Sequence, residues 1–158
     1  MIHEDITAFA AELPASGAIA GLDFGEKTIG VAISDLRRQV ATPSEIIRRE
    51  KFTLDAARLM QIVAAREIRG LVLGLPLNMD GSSGPRVQST QAFARNLARL
   101  TDLPITFWDE RLSTVAAERA LLEADASRKR RKEVIDAVAA GYILQGALDR
   151  MTWQRNAP

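Results

Sequence analysis

Apolar positions change their spacing several times along the chain, and each change marks an element. Residues 18–24 (AIAGLDF) and 28–34 (TIGVAIS) are two nearly unbroken apolar runs, the first bounded by Gly17 and Gly25. Short runs of this kind predict strands. Only Gly25, Glu26 and Lys27 separate them, and so short a connection permits only an antiparallel hairpin. A third strand is expected within residues 43–49, where Ile46 and Ile47 sit among polar neighbours. Thr53 offers an N-cap for a helix reaching Arg66, with Ala56, Met60 and Val63 at helical spacing and Gly70 as its stop. Residues 71–75 (LVLGL) are continuously apolar, as in strands covered on both faces. After the loop PLNMDGSSGP, a helix from about Arg86 to Leu100 carries Thr90, Phe93, Leu97 and Leu100 on one stripe. Residues 104–108 read as a strand, and residues 114–124 and 133–150 as helices.

The order is three strands, then helix, strand, helix, strand and two helices. It predicts one α/β domain with a mixed five-stranded sheet, an antiparallel three-strand meander followed by two parallel strands, flanked by helices. The domain is expected over residues 17–150. Residues 1–16 read as a weakly helical or frayed leader, and residues 151–158 as a short polar tail. A length of 158 residues with 47% hydrophobic and 26% charged positions is ordinary for one globular domain. The leader carries acids early and lacks a basic region, and no apolar stretch is long enough to span a membrane, so the expected location is the cytoplasm.

Composition narrows the chemistry. With 0 cysteines and 1 histidine, His3, the chain offers no thiol nucleophile, no Cys-ligated zinc and no His-based triad. Carboxylates, hydroxyls, amides and cations remain. Three acids occupy unusual positions. Asp23 ends a strand that otherwise buries apolar groups; an isolated carboxylate there is costly unless paired or bound to metal, although it could instead cap the Gly25 turn. Asp109 and Glu110 end the last strand, where ligand groups of open α/β sheets gather. The pleat aims adjacent residues at opposite faces, so only one of the two is expected to face a site. Asp136 is the only charge in VIDAVAAGYIL, and its helical neighbours are apolar; its alternative role is to complement the helix dipole.

Taken together, the three acids favour a shared site. Oxygen-only ligands select Mg²⁺ or Mn²⁺ over zinc, and carboxylate clusters of that kind most often serve phosphoryl chemistry. The net charge is only +1, from 21 Lys and Arg against 20 Asp and Glu, so affinity for nucleic acid must come from local patches. Arg128, Lys129, Arg130, Arg131 and Lys132 are five consecutive cations just before the helix of Asp136, and Arg37, Arg38, Arg48, Arg49 and Lys51 form a second group. Either could also be solvated surface. The loop from Asn78 to Gly84 offers amides, hydroxyls and a flexible Gly81 suited to phosphates. Substrate contacts are expected from Lys27, Asn78, Arg111, Ser113 and Thr114 together with the run Arg128 to Lys132.

The stretches GLDFGEKTIGVAISD, LVLGLPLNMDGSSG, DERLSTVAAE and KEVIDAVAAGYIL resemble the YqgF family, related to RuvC-type resolvases within the ribonuclease-H-like superfamily. The resemblance covers residues 18–148 in order. It implies a ribonuclease-H-like fold and a metal-dependent nuclease, with pre-16S rRNA processed at its 5′ end as the substrate and branched DNA as the alternative. It implies Asp23, Glu110 and Asp136 as catalytic and metal-binding residues with Mg²⁺ or Mn²⁺. Resolvases and ribonuclease H carry an acid at the end of the fourth strand; this chain has Leu-Pro-Leu-Asn, and Glu110 takes its place. Implied partners are nucleic acid and ribosomal precursor particles, for a monomer or homodimer away from membranes. Two other readings stand beside this one: a non-catalytic RNA- or protein-binding module of the same fold, and an actin-like ATPase. The hairpin Asp23, Gly25, Gly30, Ala32 resembles the ATPase phosphate-binding hairpin, but ATPases of that type need two such domains.

Overall fold

Runs as apolar as residues 18–24 and 71–75 cannot face water on either side, so the chain places them centrally and covers both faces with helices. The computed structural model describes residues 1–112 and 128–157. Its elements are β1 (Ile2–His3), α1 (Ile6–Glu12), β2 (Ala20–Phe24), β3 (Thr28–Ser34), β4 (Ala41–Arg48), α2 (Phe52–Arg66), β5 (Leu71–Leu75), α3 (Pro85–Ala98), β6 (Ile105–Asp109), a 3-10 turn (Glu110–Leu112) and α4 (Arg128–Asn156). They form a six-stranded sheet in the order β1-β6-β5-β2-β3-β4. β2, β3 and β4 pair antiparallel, whereas β2, β5, β6 and β1 run parallel. Pro43 is accommodated because β4 is an edge strand, where a missing N–H breaks no ladder.

The two faces of the sheet are packed differently. Leu22, Phe24, Ile29, Val31, Leu71 and Leu73 meet Leu59 and Ile62 of α2 and Phe93 and Leu97 of α3. On the other face Ile19, Ala32, Val72 and Trp108 meet Ala140, Ile143, Leu144 and Leu148 of α4. There the strands carry glycines, and α4 lies almost on the backbone. A methyl on Gly21 would stand 2.6 Å from Leu144 Cβ, and one on Gly74 would stand 2.4 Å from Ile143 Cδ1.

The sheet has six strands, not the expected five, because the first residues join it. Ile2 and His3 pair with Ile105 and Thr106 of β6, and Asp5 caps α1 by accepting from the Ala8 amide at 2.8 Å. A helix of 7 residues has little stability alone. Phe9 docks it: the ring is 0% exposed, and its burial is worth about 1.5–3 kcal/mol. The helical reading of residues 1–16 holds over Ile6–Glu12, but the segment is docked rather than frayed, because the partner that stabilises it is distant in sequence.

Residues 151–156 are likewise not tail but the last turns of α4, where Met151 is buried. Within the described residues that helix already runs from Arg128, ahead of the expected start near 133. α2 begins one residue before Thr53, so its N-cap is Lys51 with no side-chain cap bond rather than Thr53, and the carboxylate of Asp55 in its first turn accepts the Glu50 amide at 2.9 Å. The expected helix over residues 114–124 lies outside the described residues. Among the described residues, no helix is long and apolar enough to cross a membrane.

Candidate active site

β2 carries Asp23 to the rim of the sheet with its side chain 1% exposed, directly opposite Gly30 of β3. Because Gly30 has no side chain, the backbone of α4 rests on it; a methyl there would stand 1.9 Å from the carbonyl oxygen of Asp136. The Asp136 carboxylate thus lies over the β2–β3 turn, where it accepts a hydrogen bond from the Thr28 hydroxyl. A methyl on Gly25 would be 3.7 Å from Asp136 Oδ2. The turn itself closes through the Gly25 amide on the Thr28 carbonyl at 2.9 Å, so the Gly25 amide does not need Asp23 as an Asx cap. Asp136 sits about two turns inside α4, beyond the first turn in which the helix dipole acts. Its alternative role as a dipole partner is thereby removed.

Glu110 approaches from the other side. It opens the 3-10 turn after β6, is 6% exposed, and its Oε2 lies 3.1 Å from where a methyl on Gly74 would be. Gly74 pairs with Trp108, so Glu110 leans across β5 toward β2 on the face that α4 covers. Asp109, one residue earlier in the pleat, is held by Arg111 through bonds of 3.0 Å to Oδ1 and 2.7 Å to Oδ2. That hydrogen bonding keeps its carboxyl below the usual aspartate range. Of the adjacent acids, only Glu110 turns inward.

Asn78 shapes the loop that overhangs this rim. Its side-chain amide donates to Ser82 Oγ at 3.0 Å, and its carbonyl accepts the Gly81 amide at 2.8 Å. Ser82 donates to Asp80 from both amide and hydroxyl, which lowers the Asp80 pKa, the hydroxyl bond contributing most. Arg111 touches the same loop, donating to the Met79 carbonyl at 3.4 Å. Lys27 is exposed at the tip of the hairpin. Arg128, Lys129, Arg130, Arg131 and Lys132 form the first turns of α4, and their side chains lie outside the described residues, as do Ser113 and Thr114 altogether.

Two arginines of the second basic group serve the fold instead. Arg49 donates to the carbonyls of Gly25 and Glu26 at 2.7 and 3.1 Å with its guanidinium 4.1 Å above the Phe24 ring, which braces the hairpin turn. Arg38 donates to Gly17 and Pro14 carbonyls at 2.8 and 2.7 Å. A third arginine, Arg86, was not expected at the site. Its Nη2 stands 3.7 Å from Asp23 Oδ1. The signal available in sequence was its place in the first helical turn after a loop at a strand's carboxyl end.

A family model described as "RuvX: Holliday junction resolvase" matches residues 17–150. The chain belongs to the RuvX family. Among curated relatives of this RuvX-family chain, a protein of Ruegeria sp. (strain TM1040) is 71% identical over 99% of this chain and 100% of its own length. One from Paracoccus denitrificans (strain Pd 1222) is 72% identical over 96% of each. Both bear the name "Putative pre-16S rRNA nuclease". Among solved structures, T. thermophilus RuvC in complex with a Holliday junction substrate superposes with a TM-score of 0.54 at 13% identity, covering 85% of this chain and 96% of that one. That likeness supports the RuvC-like α/β fold. RuvX membership makes the chain a hydrolase acting on phosphodiester bonds.

The donor set of this RuvX-family rim suits a hard divalent cation, being three carboxylates with no His or Cys. Among the described residues, no group of three acids stands close enough to hold an ion as placed. Asp23 and Asp136 are each engaged, by the Arg86 guanidinium and the Thr28 hydroxyl.

Proposed function

We propose that this chain is a divalent-metal-dependent nuclease that trims ribosomal RNA precursors, with the 5′ end of pre-16S rRNA as its substrate. The observation that supports the reading is that Asp23, Asp136 and Glu110 lie at the same end of the sheet on the face covered by α4, within reach of one site once an ion draws them together. The name that close relatives bear supports pre-16S rRNA as the substrate. Asp23, Glu110 and Asp136 would hold Mg²⁺ or Mn²⁺, which supplies an activated water and stabilises the leaving oxygen when bound. Burial of Asp23 and Glu110 keeps bulk water from competing for their oxygens. Lys27, Asn78, Arg111, Ser113, Thr114 and the run from Arg128 to Lys132 would hold the phosphate backbone. Contacts of that type set affinity and register without reading sequence.

The test is cleavage of an end-labelled pre-16S rRNA fragment in Mg²⁺, Mn²⁺ or EDTA, with the product ends mapped. Asp23→Asn should lower the rate by more than about a hundredfold while RNA binding persists. Even groups that only orient metal ligands are worth about 10–100-fold. Cleavage in EDTA, or full activity in Asp23→Asn, would refute the site. The family description favours a second substrate, four-way junction DNA, which belongs in the same experiment as a parallel arm.

A further inference from the structure

We infer that Arg86 is the internal counter-ion of Asp23, giving up the carboxylate to an incoming divalent cation and moving onto a substrate phosphate. This rests on the nuclease reading above and adds a positioning residue to it.

The argument begins with where Arg86 stands. It follows Pro85 in the first turn of α3, a turn with no acidic residue. A cation there opposes the partial positive charge of the helix terminus, so the helix gains nothing from it. What holds the guanidinium is Asp23. The carboxylate is almost fully buried, while the Arg86 side chain is 42% exposed, so one end of the pair is locked and the other reaches solvent. A buried carboxylate requires a neutralising charge nearby. At 3.7 Å the contact is an ion pair longer than a hydrogen bond, and it can be released without leaving a donor stranded.

The two engaged acids then behave differently toward a metal. The Thr28 hydroxyl on Asp136 is neutral and can stay in place beside a bound ion. Arg86 cannot, because like charges at one carboxylate repel. Arg86 follows the loop of Asn78 and Ser82 in the chain, and its side chain is half-exposed, so on release it can reach a ligand from solvent. Its planar fork matches a phosphate in two parallel hydrogen bonds, which a lysine does not reproduce. Exchange of one negative partner for another leaves Arg86 paired with an anion at both stages.

The test uses the full chain. Mn²⁺ is titrated calorimetrically without nucleic acid into wild type, Arg86→Gln and Arg86→Lys, with circular dichroism melts in EDTA to confirm folding. Arg86→Gln should bind Mn²⁺ about three- to fivefold more tightly, the factor an ion pair of this exposure is worth, whereas Arg86→Lys should bind as wild type does. With Mn²⁺ present, Arg86→Gln should bind RNA more weakly, its log–log salt slope lower by about 0.7–0.9. Arg86→Lys should restore the slope but not the full affinity. Unchanged Mn²⁺ affinity or an unchanged slope in folded Arg86→Gln overturns the inference, as does wild type that binds no Mn²⁺. If wild type binds Mn²⁺ but cuts neither RNA nor junction DNA, the nuclease reading fails. The Mn²⁺ comparison still decides whether Arg86 is the counter-ion of Asp23.

Discussion

The two faces of the sheet solve the same packing problem in opposite ways. On the α2–α3 face, large side chains such as Leu22, Phe24, Leu71 and Leu73 fill the gap between sheet and helices, and Phe24 and Phe93 stack with centroids 4.5 Å apart. On the α4 face, Gly21 and Gly30 remove side chains so that the helix backbone itself comes down, and Gly74 leaves room for the Ile143 side chain and the Glu110 carboxylate. The first arrangement spreads stability over many interchangeable contacts. The second converts helix position into site geometry, because the same close approach that packs Asp136 against Gly30 sets its carboxylate over the hairpin turn. The large-residue face should therefore tolerate loss of volume without loss of chemistry, and the glycine face should not tolerate gain of volume.

Leu73→Ala applies the largest change to the first face. Leu73 is 0% exposed, and its truncation should cost about 2–5 kcal/mol in urea denaturation. Cleavage per folded molecule should stay within about twofold of wild type. A collapse of activity in the folded variant would mean that the two faces are not separable. Gly30→Ala tests the other face. The added methyl meets a backbone oxygen rather than a yielding side chain. Its overpacking cost is about 1–3 kcal/mol or somewhat more. Cleavage measured well below its melting temperature should fall far more than stability does, because Asp136 moves with the helix.

The smallest expected effect lies on the acid that the pleat turns away. Asp109 is lowered in pKa by its hydrogen bonds to Arg111. A lowered carboxyl contributes stability above its unfolded value of about 4, and that contribution disappears as pH falls through the folded value. Asp109→Asn should therefore cost under about 1 kcal/mol at neutral pH. Its denaturation curve should converge on that of wild type below about pH 4. It should cut RNA nearly as well as wild type. A loss as severe as that of Asp23→Asn would place Asp109, not Glu110, at the site.

The apolar runs from residue 18 onward made the hairpin, the parallel strands and the central helices legible, because burial on both faces imposes continuous hydrophobicity. Asp23 and Asp136 stood out for the same reason, as charges in apolar surroundings. The basic group near the meander shows the limit. Arg38 and Arg49 look like ligands for a polyanion, yet both spend their guanidinium groups on backbone carbonyls of distant or turn residues. Charge in a sequence does not reveal what already neutralises or satisfies it. Arg86 was hidden for the opposite reason, since its only signal was its place in the first turn of a helix, and its partner Asp23 lies far away in sequence.

The sequence by itself determined which segments must be covered, since apolar periodicity is a local property of the chain. It also determined that any chemistry runs without thiols or a histidine triad, since the chain holds 0 cysteines and 1 histidine. Only the tertiary structure decided that residues 2–3 complete the sheet, that α1 docks beside it, and that the backbone of α4 settles onto Gly21 and Gly30. It alone brought Arg86 of α3 against Asp23 of β2. Each of these joins segments far apart along the chain, where the stabilising partner supplies burial or countercharge that no short window of residues contains.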